Sequence, residues 1–409
     1  MENQELIPHL FRTEFRKITA VLCKLFGIQH IEVAEDIASE TFLSAMETWS
    51  YKGIPANPVA WLYTVAKNKA KNLISRDQLF TGKIQPALKQ AETNAESIEI
   101  DLSEKNITDS QLQMLFAVCH PSIPVEAQVG LALRILCGFG IEEIANAFLS
   151  NKETINKRLQ RAKAKLQQEN VQIEFPPEKE INIRLDTVLT TLYLLFNEGY
   201  YSESRDDILR EDLCLEAMRL TYLLIENEQT DLPPVNALLS LMCFHASRFT
   251  ARKNDNGEIV LYHDQDEKLW NAELITKGIS YLNRASQGTT VSKYHLEASI
   301  AYWHTIKADT TEKWDNILQL YNRLLQIEYS PVAALNRTFA LSKVYGKQQA
   351  IAEAEKLKLT NNHYYYTLLG ELYTGINRYK ALQNFETAYS LAKTQPDKQL
   401  IKKKISALQ

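Results

Sequence analysis

Residues 140–166 read GIEEIANAFLSNKETINKRLQRAKAKL. Ile141, Ile144, Ala145 and Phe148 make one short apolar face, and Ile155, Leu159, Ala162 and Leu166 make a second. Leu149–Ser150–Asn151 between them reads as a turn. The pattern predicts two helices that cross closely at the small Ala145, a helix-turn-helix. The second helix carries Lys152, Lys157, Arg158, Arg161, Lys163 and Lys165 against one acid, Glu153. Its outward face presents Glu153, Lys157, Gln160, Arg161 and Ala164, with Thr154 and Asn156 at its start. About 15 residues at 1.5 Å each give roughly 22 Å, enough to lie across a major groove. Its first residues would then meet base edges and its later cations phosphates. A purely structural hairpin is the competing reading.

Upstream, NPVAWLYTVAKNKAKNLISR (57–76) predicts another helix. Asn57 suits an N-cap and Pro58 the first helical position. Leu62, Val65, Ala66 and Leu73 trace an inward side that Lys69 interrupts. Lys67, Lys69, Lys71 and Arg76 occur with no acid before Asp77. Asn68 and Asn72 stand one turn apart and can pair with bases or phosphates. Trp61 and Tyr63 at the helix start can stack on unpaired bases. Before it, VAEDIASETFLSAMETW (33–49) places Ala34, Ile37, Ala38, Thr41, Ala45 and Trp49 inward. Asp36, Glu40, Leu43 and Glu47 share the outer face. An exposed leucine in an acidic row suits docking on a basic helix; a solvated acidic face is the bland alternative.

The whole chain of 409 residues is 45% hydrophobic and 23% charged, an ordinary globular balance that excludes a largely disordered chain. Only 13 glycines and 12 prolines argue against a turn-rich β sandwich. A net charge of −4 does not announce a nucleic-acid binder, so DNA contact must come from local patches. No stretch approaches the roughly 18 apolar residues of a membrane span, and the start lacks a signal-peptide core. Cys23, Cys119, Cys137, Cys214 and Cys243 form no CxxC pair and read as buried reduced thiols of a cytoplasmic protein.

The expected organisation is all-α. It comprises a first helical module over 1–80, a polar linker over 81–108 with an acidic run, a second helical module over 109–170, and a large helical domain over 183–409. Pro176–Pro177 breaks the chain before the last of these. There, Leu185, Val188, Leu189, Leu192, Leu195 and Phe196 recur at helical spacing.

The order of the three motifs resembles the extracytoplasmic-function (ECF) group of RNA polymerase sigma factors. Residues 6–80 look like the sigma-2 domain and 109–168 like the sigma-4 domain, about two-fifths of the chain. The remainder resembles a subgroup with a large tetratricopeptide-like C-terminal extension, through DSQLQMLFAVCHPSIPVEAQVGLALRILCGFGIEEIANAF, LYLLFNEGYYS and SPVAALNRTFAL. The resemblance implies that Asp36, Glu40, Thr41 and Phe42, with Leu43 and Glu47, dock on the β′ clamp helices of the polymerase core. Ser39 stands where the family usually has glutamine. It implies minus-10 recognition through the Ser50–Asn57 stretch, Trp61, Lys67, Asn68, Lys71, Asn72 and Arg76. It further implies minus-35 recognition through Lys152, Glu153, Thr154, Asn156, Lys157, Arg158, Gln160, Arg161 and Lys165. Leu149 replaces the usual turn glycine, and Glu153–Thr154–Ile155 the usual G-T-V. The expected partners are RNA polymerase core (β′ and β subunits) and promoter DNA, with no membrane.

In the C-terminal domain, Tyr366, Leu369, Gly370 and Tyr373, followed by Ala381, Phe385 and Ala388, resemble one tetratricopeptide repeat with a shortened turn. Such pairs stack into a curved binding surface, so a protein partner or packing on the sigma modules is expected. Residues 249–268 interrupt the helices. Asn256–Gly257 reads as a turn and EIVLY as a short strand. His245, His263, Asp264 and Asp266 match no metal-ligand spacing. No Walker A motif, nucleophile elbow, Rossmann fingerprint or zinc-binding HxxxCxxC occurs, so neither a cofactor nor an enzymatic activity is expected. Two further classes stay open: a free-standing helix-turn-helix regulator with a sensing domain, and an enzyme built on the C-terminal helices.

Overall fold

A computed structural model describes residues 3–80, 99–148, 150–200, 210–252, 254 and 260–408. Every regular element among them is helical. The chain divides into two compact units, Met1–Leu194 and Leu195–Gln409.

The first unit opens with α1 (Asn3–Phe26), α2 (Ile31–Lys52) and α3 (Pro58–Phe80). Positive φ angles at Gly27 and Gly53 turn the chain on either side of α2. The inward residues expected of α2 are all buried: Ala34, Ile37, Ala38, Thr41, Ala45 and Trp49. On α3 the fully buried line is Leu62, Ala66, Ala70 and Ile74, whereas Val65, Lys69 and Leu73 sit half-buried at its border. Small alanines at the centre let α2 and α1 approach, so the inward side is rotated slightly from the one expected.

Helix α4 (Glu104–Val118) begins inside the stretch expected as a linker. Ser103 caps it by accepting from the Asn106 amide, and Asp101 holds Ser103 in turn. Ile100 and Leu102 are buried just before it. The cap and two apolar anchors order residues that composition alone reads as tether. The acidic positions Glu92 and Glu96 lie outside the described residues.

Next come α5 (Val125–Leu131), a π turn (Ala132–Leu136), α6 (Ile141–Ala147) and α7 (Lys152–Gln168). Ile144, Ala145, Ile155, Leu159, Ala162 and Leu166 are buried, so both expected apolar faces are the packed ones. Gly130 lies against Leu159, leaving no room for a side chain there. Leu149, in the turn, is outside the described residues. All five cysteines are buried and none joins a disulfide.

Helix α8 (Glu178–Tyr200) starts directly after Pro176–Pro177. Its expected stripe, Leu185 to Phe196, is buried throughout. Its first half belongs to the first unit. Arg184 Nη2 donates to the Phe116 carbonyl at 2.6 Å, and Thr191 Oγ1 to Gln128 Oε1 at 2.7 Å. The expected boundary at 183 therefore falls inside a packed helix, and the compact unit ends at Leu194 instead.

The second unit continues with α9 (Glu211–Ile225), α10 (Pro233–Ala246), α11 (Ala272–Ala285), α12 (Lys293–Trp303), α13 (Thr311–Ile327) and α14 (Pro331–Tyr345). It closes with α15 (Lys347–Leu357), α16 (His363–Tyr373), α17 (Arg378–Leu391) and α18 (Gln395–Leu408). From α12 onward each helix packs on the next. Side-chain caps at Asn271, Thr310, Ser330, Asn362 and Asn377 start five of these helices. At the α16–α17 crossing, a Cβ on Gly370 would stand 2.7 Å from the Phe385 ring, so the glycine permits the close approach. Of the expected strand EIVLY, Glu258 and Ile259 lie outside the described residues, as does the Asn256–Gly257 turn. Val260 and Leu261 are irregular and Tyr262 opens a 3-10 turn (Tyr262–Asp264), so the described part is no strand.

Candidate polymerase and nucleic-acid interface

Helix α2 shows one open face. Asp36, Ser39, Glu40, Leu43, Met46, Glu47 and Ser50 are exposed along it. Leu43 is 57% exposed and Met46 51% exposed, an apolar pair framed by carboxylates. Met46 was not among the expected docking residues, although its i+3 spacing from Leu43 puts it on the same face. Thr41 and Phe42, expected to dock, are not there. Thr41 is fully buried with its hydroxyl donating to the Ile37 carbonyl at 2.7 Å. Phe42 packs edge-on against Phe11 at 5.1 Å and beside Phe15 at 6.4 Å, holding α2 to α1. A helix advances about 100° per residue. Positions 41 and 42 therefore turn inward with 38 and 45, while 43 turns out. Glu40 is not a free acid, since Lys69 Nζ lies 3.1 Å from its Oε2.

Helix α3 presents a polar ridge with no carboxylate. Asn57 caps it, accepting from the Ala60 amide at 3.0 Å. Ala60, Thr64, Asn68, Asn72 and Arg76 then stand exposed at i, i+4 spacing, with Lys67 and Lys71 half-buried along the side. The two aromatics are less available than expected. Trp61 packs edge-on against Trp49 at 5.4 Å. Tyr63 donates its hydroxyl to the buried Glu14 at 2.6 Å, and burial together with that bond pushes its phenol up. Tyr51, at 92% exposure in the last turn of α2, is the open aromatic here. It lies within the Ser50–Asn57 stretch expected to take part in minus-10 recognition, beside the exposed Ser50 and Lys52.

Helix α7 is capped by Asn151, which accepts from the Thr154 amide at 2.7 Å. Lys152, Glu153, Thr154, Asn156, Lys157, Gln160 and Arg161 are exposed as expected. Arg158 is drawn over the Phe148 ring at 6.0 Å, and Lys165 pairs with Glu169 at 2.6 Å. The open cations are thus Lys152, Lys157 and Arg161. The opposite edge of α7 meets the 3-10 turn Ile28–His30 and the start of α2. Gln167 donates to the Gln29 carbonyl at 3.2 Å. Gln160 lines a cleft of about 310 Å³ there with Gln29, Glu32 and Lys163. The buried Glu35 is the electrostatic centre of this contact. Arg134, on the π turn, approaches it at 2.8 Å and Lys163 at 3.5 Å. Lys163 also comes within 3.8 Å of Glu32. None of these long-range pairs is visible in local spacing.

Elsewhere, no group of three or more metal-ligating side chains gathers among the described residues, and no described helix is long and apolar enough to cross a membrane. The family model for sigma-70 region 2 matches residues 10–79, the segment that holds α2 and α3. A family of unknown function, DUF6596, matches residues 184–286. An uncharacterized protein of Rhizobium meliloti is 33% identical over 370 residues, covering 89% of this chain and 87% of its own. The RNA polymerase sigma-H factor of Pseudomonas aeruginosa is 27% identical over 180 residues, 40% of this chain and 90% of its own. No solved structure matches. The helices that carry the open acidic–apolar face and the acid-free ridge thus form a sigma-70 region 2, and over most of its length the chain belongs to one family with the uncharacterized Rhizobium meliloti protein.

Proposed function

We propose that the chain is a sigma factor of the ECF type that brings RNA polymerase core to particular promoters. The observation that carries this is the pair of surfaces inside the region 2 match. An apolar Leu43–Met46 pair framed by Asp36 and Glu47 suits docking on a basic helical partner, and the α3 ridge suits a polyanion. Asn68, Asn72 and Arg76 supply the groups for minus-10 DNA, with Tyr51 as the aromatic that can stack on an unpaired base. The α6–α7 pair acts as the helix-turn-helix for minus-35 DNA, through Lys157 and Arg161 to phosphates and Glu153, Thr154 and Asn156 to bases.

The two DNA elements named by those positions lie about 25 base pairs apart, roughly 85 Å of duplex at 3.4 Å per step. Helix α7 packed on the start of α2 cannot reach both, so binding a promoter requires this contact to open. The C-terminal helices have no chemistry of their own in this reading. The sequential packing and the Gly370–Phe385 crossing support a tetratricopeptide-like stack that binds a protein.

The test is binding of the full chain to purified core polymerase, followed by promoter-directed transcription. Reversing Asp36 and Glu47 to arginine should weaken core binding while the helical content and thermal unfolding stay as they were. Unchanged affinity would remove the α2 face from the interface. Binding to promoter DNA without core, at the same strength as with it, would favour a free-standing regulator.

A further inference from the structure

The second unit holds a cluster of positive charge that the sigma reading leaves unused. Its centre is Tyr262, on the 3-10 turn. The ring stacks on Trp270 with centroids 6.2 Å apart and meets His304 edge-on at 5.3 Å. Two cations approach the same ring, the Arg248 guanidinium at 5.5 Å and the Lys313 ammonium at 5.1 Å. Lys313 is 1% exposed, and its ammonium donates to the Tyr262 hydroxyl at 2.9 Å and to the Ile306 carbonyl. A third cation, Lys307, donates to the Gln265 carbonyl.

The countercharge does not match. Among the described residues, Arg248, Lys307 and Lys313 form no ion pair. The nearby carboxylates that act on the cluster are Asp309 and Glu267. Asp309 is already bound by Lys343 at 2.9 Å and by the Trp314 indole, and Glu267 is exposed. Two donors are also incomplete: Arg248 Nε and Trp270 Nε1 are buried without an acceptor. An unmade buried hydrogen bond is destabilising, and a desolvated cation without a partner is more so. Cations held on one ring repel each other as well. An anion placed among them would satisfy both deficits.

We propose that this cluster binds a small molecule through an oxyanion, a phosphate or carboxylate group. Arg248 is the primary ligand, because its planar fork matches two oxygens at once. Trp270 Nε1 is the second donor. Lys313 stays on Tyr262 and supplies positive potential without touching the ligand. Arg248, Tyr262 and Trp270 lie within the match to the family of unknown function. The site is independent of whether the first unit binds polymerase.

The test uses the full chain and two probes, inorganic phosphate and succinate, at constant ionic strength with chloride as the reference. Calorimetric titration and thermal unfolding should show binding of one of the probes over chloride, and which one separates the two oxyanion classes. Arg248→Gln should weaken that binding at least ten-fold. In chloride alone it should unfold at the same temperature or higher, since a repelling charge has gone. Arg248→Lys should retain part of the affinity. The proposal is overturned if neither probe binds better than chloride, if Arg248→Gln binds as well as the parent, or if Arg248→Gln unfolds earlier in chloride alone. The last result would make Arg248 a structural cation held by Tyr262.

Discussion

Replacing Glu35 by glutamine should loosen the α7 contact with α2. The side chain keeps its size, and only its charge leaves. Removing one member of a buried ion pair costs about 3–5 kcal/mol. Here the cations retain some water: the Arg134 side chain is 27% exposed and that of Lys163 14%. Glu35 Oε1 also stands close to Arg134 Nε without an aligned hydrogen bond. The contact is therefore mainly Coulombic, and about 1–3 kcal/mol is the fitting size, a shift of roughly 5–150-fold in the docked population. Dyes on cysteines introduced at the exposed Ser39 and Gln168 would report it by energy transfer, since all five native thiols are buried. Transfer should fall in Glu35→Gln, and in the parent it should fall as salt rises. Core polymerase with promoter DNA should lower it further. If transfer is the same in parent and variant at every salt concentration, Glu35 does not hold the two parts together. If the variant melts earlier while transfer is unchanged, Glu35 supports the α1–α3 fold instead.

Lys157→Ala or Arg161→Ala should weaken promoter binding and lower the slope of log affinity against log salt by about 0.9 for each phosphate no longer neutralised; an unchanged slope means these cations face water. Replacing Glu153 or Asn156 should instead change which upstream base is preferred, read by competition between promoter variants. Gly370→Ala should destabilise the second unit by about 1–3 kcal/mol, because its Cβ would press on the Phe385 ring. A denaturant midpoint equal to the parent's would show that α16 and α17 can part at no cost. Burial, with Arg248 and Lys313 nearby, holds the His304 imidazole down to about 3. Its folded value is below its ordinary one, so the associated stability is complete above pH 6.5 and is lost as pH falls from 6.5 toward 3. The slope is at most about 1.4 kcal/mol per pH unit. His304→Gln should flatten the acid side of the stability profile, and an unaltered profile would place the proton uptake elsewhere.

Much of the helical layout was legible because helices announce themselves by period. The faces Ala34–Trp49, Ile155–Leu166 and Leu185–Phe196 are buried as their spacing demands. What covers each face was not legible. The α8 stripe gave no hint that Arg184 and Thr191 bind back to Phe116 and Gln128. Thr41 and Phe42 joined the docking set by resemblance, while their helical phase already pointed inward. Arg158 and Lys165 read as open cations from their spacing, but the Phe148 ring and the Glu169 carboxylate, which that spacing does not reveal, engage them. The Glu35–Lys163 pair joins residues 128 apart in the chain, and no local pattern encodes such a distance. Met46 was available from spacing alone.

The π turn at Ala132–Leu136 amounts to a helix with one residue too many. Cys137 donates back five positions to Ala132 instead of four. Arg134 sits on that surplus turn, and Glu35 is its counterpart. Deleting a single residue there would restore ordinary α winding and rotate whatever follows by about 100°. The guanidinium would swing off the carboxylate without any change of charge. The attachment of α7 to α2 is thus written in chain register as well as in side-chain identity. A one-codon deletion could undo it while every ionic residue stayed in place.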